Sequence, residues 1–334
     1  MLKLKTPNGL EVEVAETPAE EASSRFTIEQ ADEIREYYDA HGYVVVSGVF
    51  PRSMTRKARE LWENEIKPYS GKIYRQTSSE LETHRLDHHG WVMNPILNLQ
   101  SLDPSRFPEL RHFARNTLMT HASFVEALRV LLGDDPKFVQ SMYFEGNSET
   151  VEHRDSPYLD SEHLGSIVGS WIALEDIRPR AGRFFVVPGS HKLDVSPTEE
   201  AKDAIASEAE YIQKLVAHIK SEQRPIHAPA LREGDLLMWN GFTIHGSLAS
   251  SDPDHARNSI TAHAIPAKHK FAQFHTRVMD VPTERVDDVL IYAPKDLALR
   301  RNRILRSAEA RFPTAFHALK GAVKSTLLKL NRNR

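Results

Sequence analysis

The sequence predicts a mainly β domain with flanking helices, its strands arranged as a sandwich or barrel. Two observations predict it. From Lys137 onward the chain breaks into short runs rich in β-branched and aromatic residues, at 138–144, 166–174, 183–187, 235–239 and 259–265. Turn residues punctuate these runs at Pro179, Gly182, Pro188-Gly189 and Gly234. Many short strands with such spacing fit stacked or closed sheets better than βαβ units.

The elements before Lys137 frame that β region. Residues 2–14 alternate apolar and polar side chains about Pro7-Asn8-Gly9, which reads as a hairpin. Residues 15–25 are acidic and small and read as a linker, so 1–25 form an N-terminal arm. A helix begins at Thr27, with Gln30 three residues on as in a capping box. It stops at Gly42, since a glycine just past a helix takes the left-handed turn at little cost. Residues 43–46 form a β-branched strand, and 53–66 a second helix. Residues 70–105 are polar, His-rich and irregular. Residues 107–132 are helical in two pieces, stopped by Gly133 and Pro136.

One helix interrupts the strands. Ala204, Ile205, Tyr211, Ile212, Leu215, Val216 and Ile219 recur at helical spacing and form a stripe that packs on the sheet; a lid or subunit contact is the sharper alternative. From about Lys295 the chain is basic. Phe316, Leu319, Val323, Leu327 and Leu330 could share one apolar face near Lys320, Lys324 and Lys329. This reads as a solvated helix docked on the domain or on another subunit, with contact to a membrane surface as the alternative. The expected organisation is an arm over 1–25, a single domain over 26–294 and a basic helical extension over 295–334, in a monomer or homodimer.

Composition excludes several chemistries. The 334 residues include no cysteine, which removes disulfides, zinc-thiolate sites, iron–sulfur clusters and a cysteine nucleophile. A net charge of -3 argues against a nucleic-acid footprint over the whole protein. No stretch approaches the roughly eighteen apolar residues of a membrane span, and the first residues lack the apolar core of a signal peptide. A cytoplasmic location is the default expectation.

Four residues carry the chemistry. His153 and Asp155 are two apart, so on a strand both side chains reach one face and one ion. His245 follows the 235–239 run, where a return strand would supply a third ligand. Two imidazoles and a carboxylate hold Fe(II) on one face and leave the opposite face open for oxygen chemistry. Arg257 begins the last strand, and its guanidinium suits the far carboxylate of a dicarboxylate co-substrate.

With these residues the chain resembles the phytanoyl-CoA dioxygenase (PhyH-type) family of Fe(II)- and 2-oxoglutarate-dependent oxygenases. The resemblance runs from about Phe138 to Pro266. It includes Trp171-Ile172-Ala173-Leu174-Glu175-Asp176, Gly182, Val187-Pro188-Gly189-Ser190-His191-Lys192 and Glu233-Gly234-Asp235. The opening helix, Gly42 and the 43–46 strand fit as well. The resemblance implies a double-stranded β-helix, a cupin-like jelly roll with the metal at one open end. It implies Fe(II) on His153, Asp155 and His245, and 2-oxoglutarate anchored by Arg257. Met142, Trp171 and Ser247 would line the 2-oxoglutarate pocket, with Asn98 as a further polar contact. The implied reaction uses O2 to hydroxylate, or otherwise oxidise, a C–H bond of a small-molecule substrate, releasing succinate and CO2. Because Asp155 is present, oxidation is favoured over halogenation.

Arg154, where the family most often has Gln, and Arg183, where small or apolar residues are common, read as solvated side chains. His191 reads as a structural residue of its turn, and His263 as a hydrogen-bonded core residue. His84, His88 and His89, beside Asp87, read as surface or rim residues, since no regular ligand spacing joins them. Residues 70–100, 158–164 and the 200–220 helix are expected to shape the substrate pocket. Two other readings stay open. A cupin-like metalloenzyme without 2-oxoglutarate usually carries a His-x-His pair and a following Glu, a pattern absent from these strands. A non-catalytic jelly-roll binding protein is the third, since a fold alone does not fix function.

Overall fold

Alternation along the strands gives the broad sheet a separate core on each face. A computed structural model describes residues 1–146, 149–194, 197–252, 254–275, 277–294, 300–312 and 316. In it the central strand Val168–Ala173 pairs antiparallel with Leu236–Asn240 on one side and Ser259–Pro266 on the other. Pro136–Phe144 extends the sheet beyond Ser259–Pro266, and Tyr43–Val46 beyond Leu236–Asn240. Successive side chains point to opposite faces. Ile172, Leu236, Met238, Ile260 and Ala262 therefore pack with Ile34, Leu61, Phe124 and Leu128 of the helices Ala31–His41, Arg52–Leu61 and Ala122–Leu132. Their neighbours Trp171, Ala173, Leu237 and Trp239 face the other way, onto Phe184 and Val186. Both faces are covered, so every residue of Val168–Ala173 and Ser259–Pro266 is buried.

Phe184 and Val186 belong to a second sheet, ordered Phe184–Val186, His245–Ser247, Thr150–His153. The two sheets face one another as a jelly roll, and the inward row of side chains fills the space between them.

The expected helix over 27–42 starts later, at Ala31. The Thr27 N–H bonds to Gln30 Oε1 at 3.0 Å, so the glutamine half of a capping box is present, but Gln30 itself is the cap. The helix ends as expected at Gly42, which has φ 78° and donates to Tyr38 O at 2.7 Å. A Cβ at Gly42 would collide with the His191 ring and the Thr243 hydroxyl, so close approach as well as backbone sign calls for glycine.

The N-terminal hairpin forms between Leu2–Lys5 and Glu11–Val14. The expected linker ends in a short strand, Arg25–Phe26, parallel to Tyr43–Val46. Arg183 is not solvated: it is buried, donates to the carbonyls of Ile177 and Ala15, and so clasps the arm onto the domain. The expected single helix over 204–219 is two, Pro197–Ala206 and Glu208–Ser221, because Ser207 caps the second. Tyr211, Leu215, Val216 and Ile219 pack against Leu10, Val187 and Ile244. Ile205 drops out of the stripe and is 58% exposed, since the break at Ser207 changes the helical phase. A C-terminal helix covers Arg300–Arg311. The proposed apolar face from Leu319 onward lies outside the described residues. No helix of the described residues is long and apolar enough to cross a membrane.

Candidate metal centre and co-substrate pocket

The second sheet brings the candidate ligands together. His153 ends one strand, His245 begins the next, and the two are paired partners in the antiparallel register. Asp155 lies just past His153 and is buried. Its Oδ1 is 3.8 Å from His153 Nε2 and 3.6 Å from His245 Nε2, and one ligand atom from each residue falls within 4.8 Å of the others.

Each imidazole is oriented by its other nitrogen. His153 Nδ1 lies 2.8 Å from Val151 O, and His245 Nδ1 lies 2.9 Å from Thr243 O. A carbonyl only accepts, so Nδ1 carries the proton and the Nε2 lone pair points into the cluster. Thr243 is held in turn, its hydroxyl donating to Gly42 O at 2.6 Å. The glycine that stops the first helix thus supports the turn that aims His245.

The Val187-Pro188-Gly189-Ser190-His191 turn ties the two ligand segments to each other. Ser190 Oγ accepts from Ile244 N–H at 2.8 Å, and Ser190 O accepts from Arg154 Nη2 at 2.6 Å. Arg154 is therefore not solvated. It is 1% exposed, pairs with Glu200 of the Pro197–Ala206 helix at 2.8 Å, and lies on the Phe242 ring. His191 bonds Asp39 O at 3.2 Å, a structural role as expected.

Electrostatics match a cation-binding site. Burial alone would raise the Asp155 carboxyl, but His245, His263 and His153 around it hold it well below the usual carboxylate range. Burial and the neighbouring His153 push the His245 imidazole down to about 3. A carboxylate and two neutral imidazoles are the forms that ligate a divalent ion. The donor set and its aimed Nε2 atoms fit Fe(II) with open positions.

Arg257 lies in the same cavity, of about 270 Å³. It is 2% exposed, donates to Gly182 O at 2.8 Å, and packs on the Phe144 and Trp171 rings. Its Nε has no partner, no carboxylate of the described residues pairs with it, and burial pulls it down to about 9. A buried guanidinium without an acidic partner has the charge and the donors to pair with a carboxylate.

A sequence profile of the Phytanoyl-CoA dioxygenase (PhyH) family matches residues 38–257, from just before Gly42 to Arg257 itself. The chain belongs to this family. The mouse "Phytanoyl-CoA dioxygenase domain-containing protein 1" (Mus musculus) is 30% identical over 162 residues, 45% of this chain and 52% of that protein. The Bos taurus protein of the same name is 32% identical over the same shares. The chain thus spans about half the length of the curated relatives it matches. Among solved structures, the non-heme alpha ketoglutarate dependent carbocyclase SnoK from nogalamycin biosynthesis superposes with TM-score 0.53, at 19% identity over 75% of this chain and 89% of that one. EctD from S. alaskensis with bound Fe gives 0.53 at 16% identity, over 81% and 86%. These likenesses carry the jelly-roll fold.

In this PhyH family member, Met142, Trp171 and Ser247 line the cavity with the triad and Arg257. Asn98 does not. It lies across the Pro136–Phe144 strand, its N–H bonded to Ser141 O at 2.6 Å and its side-chain oxygen accepting from Gln100 at 3.3 Å. Each segment expected to shape the pocket contributes to the lining, through Gln76, Tyr158 with Leu159, and Glu208. Sequence reasoning missed Trp239, Phe184 and Thr261. Strand alternation was the available signal, since all three point inward with Trp171. Phe184 stacks on His245, ring centroids 5.3 Å apart. Asp87, His88 and His89 do bring ligand atoms within 4.8 Å of one another, but both histidines are exposed and Asp87 Oδ1 already accepts the N–H groups of His89 and Trp91. His84 stands apart, bonded to Arg75 and Ile66 O.

Proposed function

We propose that this protein is an Fe(II)- and 2-oxoglutarate-dependent oxygenase that oxidises a C–H bond of a small molecule. The observation that carries the reading is Arg257: a buried cation with no carboxylate partner among the described residues, in one cavity with a His-Asp-His cluster. His153, Asp155 and His245 would hold the iron. Arg257 would take the distal carboxylate of 2-oxoglutarate, with Met142, Trp171, Ser247 and Thr261 around it. When bound, iron and 2-oxoglutarate supply the oxidative chemistry, in which O2 is reduced, 2-oxoglutarate leaves as succinate and CO2, and the substrate C–H bond is oxidised.

The protein's own contribution is position and shelter. Phe144, Trp171, Phe184 and Trp239 wall the inner cavity with rings, which keeps water from the reacting centre. Tyr158 and Glu208 stand together in the lining, the phenol donating to the carboxylate at 3.2 Å. Among the described lining residues Arg257 is the sole Lys or Arg, so with the co-substrate bound the remaining charge favours a neutral or cationic substrate over a polyanionic thioester. A cupin-like enzyme without 2-oxoglutarate, or a binding protein without metal, leaves Arg257 unexplained.

The test is succinate formation from 2-oxoglutarate by purified protein, with and without Fe(II), across a metabolite set of amines, neutral molecules and acyl-CoA thioesters. Iron-dependent succinate release, stimulated by neutral or cationic members, is expected. Iron binding without any 2-oxoglutarate binding in anaerobic calorimetry would sink the reading. Stimulation by thioesters alone would overturn the substrate class.

A further inference from the structure

Three inward-facing residues lie in one row across the broad sheet. Gly169 is the register partner of Trp239 on one side and of His263 on the other. With no side chain between them, the two rings meet over the glycine, centroids 5.7 Å apart at 89°. Trp239 Nε1 donates to Asp155 Oδ2 at 2.7 Å, and His263 Nε2 lies 3.2 Å from the same oxygen. A carboxylate accepts, so both nitrogens carry protons toward it. All three groups are buried.

We propose that the Trp239–Gly169–His263 row is a positioning device that makes Asp155 a one-oxygen ligand. The inference rests on the metal-site reading above. Two donors occupy Oδ2, so the oxygen left for an ion is Oδ1, the one that faces both histidine Nε2 atoms. A carboxylate free to turn could chelate through both oxygens and fill a position that oxygen chemistry needs open. Gly169 is part of the device: a Cβ there would come within 2.6 Å of Trp239 Nε1 and push the indole off its bond. Trp239 and His263 are positioning residues, since each acts through Asp155. Partners of this kind orient ligands at metal sites generally.

The experiment measures Mn(II) affinity of the full-length protein by the electron paramagnetic resonance signal of free Mn(II), without turnover. Asp155→Ala sets the scale for a lost ligand. Trp239→Phe keeps a ring and removes the donor, and should weaken Mn(II) about 10- to 100-fold, the usual cost of losing such a partner. Gly169→Ala should weaken it in the same direction. His263→Leu should weaken it, and His263→Gln, which restores an N–H donor, should recover most of the loss. Metal-free melting temperatures are compared in parallel. A purely structural role would lower melting without changing Mn(II) affinity and without rescue by glutamine, and that result overturns the proposal. Wild-type affinity in both Trp239→Phe and His263→Leu overturns it too. If instead Asp155→Ala binds Mn(II) like wild type, the metal-site reading fails first and the row falls with it.

Discussion

Two buried arginines, Arg154 and Arg257, solve the problem of a charge out of water in opposite ways. Arg154 sits between two candidate metal ligands in sequence, yet its guanidinium points away to Glu200, which Tyr211 also bonds at 3.1 Å. The charge is neutralised inside the protein, and its effect is to tie the Pro197–Ala206 helix to the ligand segment. Arg257 has a carbonyl and two aromatic faces but, among the described residues, no acid. Desolvation there is offset only in part, which leaves the charge free to pair with an anion such as the one proposed above. Burial alone therefore does not separate structural from functional arginines; the identity of the partner does.

The largest effect should come from breaking the paired region. Glu200→Ala leaves Arg154 buried without its carboxylate, at a cost of about 3–5 kcal/mol of stability. Urea unfolding measures this, and the double change Arg154→Met with Glu200→Leu should recover most of the loss. A single-variant loss under 1 kcal/mol, on the scale of an exposed pair, would remove the contrast. Next, Arg257→Met should leave metal-free stability unchanged or raised, because an unpaired buried cation is removed. The same change should weaken 2-oxoglutarate binding by about 2–5 kcal/mol, the scale for truncating one partner of a buried charge pair. Anaerobic calorimetry on Fe(II)-loaded protein reads that, and equal losses of stability for both arginines would erase the distinction.

His245 sharpens the comparison with a buried group that does titrate. Its ordinary value near 6.5 falls to about 3 in the folded protein. The unfolded chain then binds more protons between these values. Metal-free stability should fall as pH drops from 6.5, by up to about 1.4 kcal/mol per pH unit from this one group. His245→Gln should flatten that part of the profile; an unchanged slope would show that His245 is not the origin. The smallest effect is expected for Tyr211→Phe, which removes one hydrogen bond to Glu200 and should cost about 1 kcal/mol while leaving 2-oxoglutarate affinity as it was.

Legibility followed the range of the physics. The strands from Lys137 onward, Gly42 as a helix stop and the N-terminal hairpin depend on local turn chemistry and alternation, and each was readable. Phase errors appeared where a local cap competed with a longer pattern. Ser207 splits one helical stripe into two helices, and Gln30 moves a helix start by four residues. Sequence alone makes Arg154 and Arg183 solvated, because charged side chains usually are. Their partners, Glu200 and the carbonyls of Ile177 and Ala15, lie on other elements that no local pattern joins to them. For Asn98 the family resemblance implies a pocket contact, and the edge pairing of Ile96–Leu97 instead sends it toward Gln100.

The residue types at the centre were legible from the chain alone: two histidines, an aspartate and an arginine in an order that a jelly roll can gather. Their identities and spacing suffice because ligand chemistry belongs to the side chain. Their states came from the tertiary structure: which nitrogen of each histidine faces the cluster, which oxygen of Asp155 is free of Trp239 and His263, and which arginine has no acidic partner among the described residues. Those depend on hydrogen bonds and burial supplied by Thr243, Trp239, His263 and Glu200, and such long-range pairings exist only once the two sheets face each other.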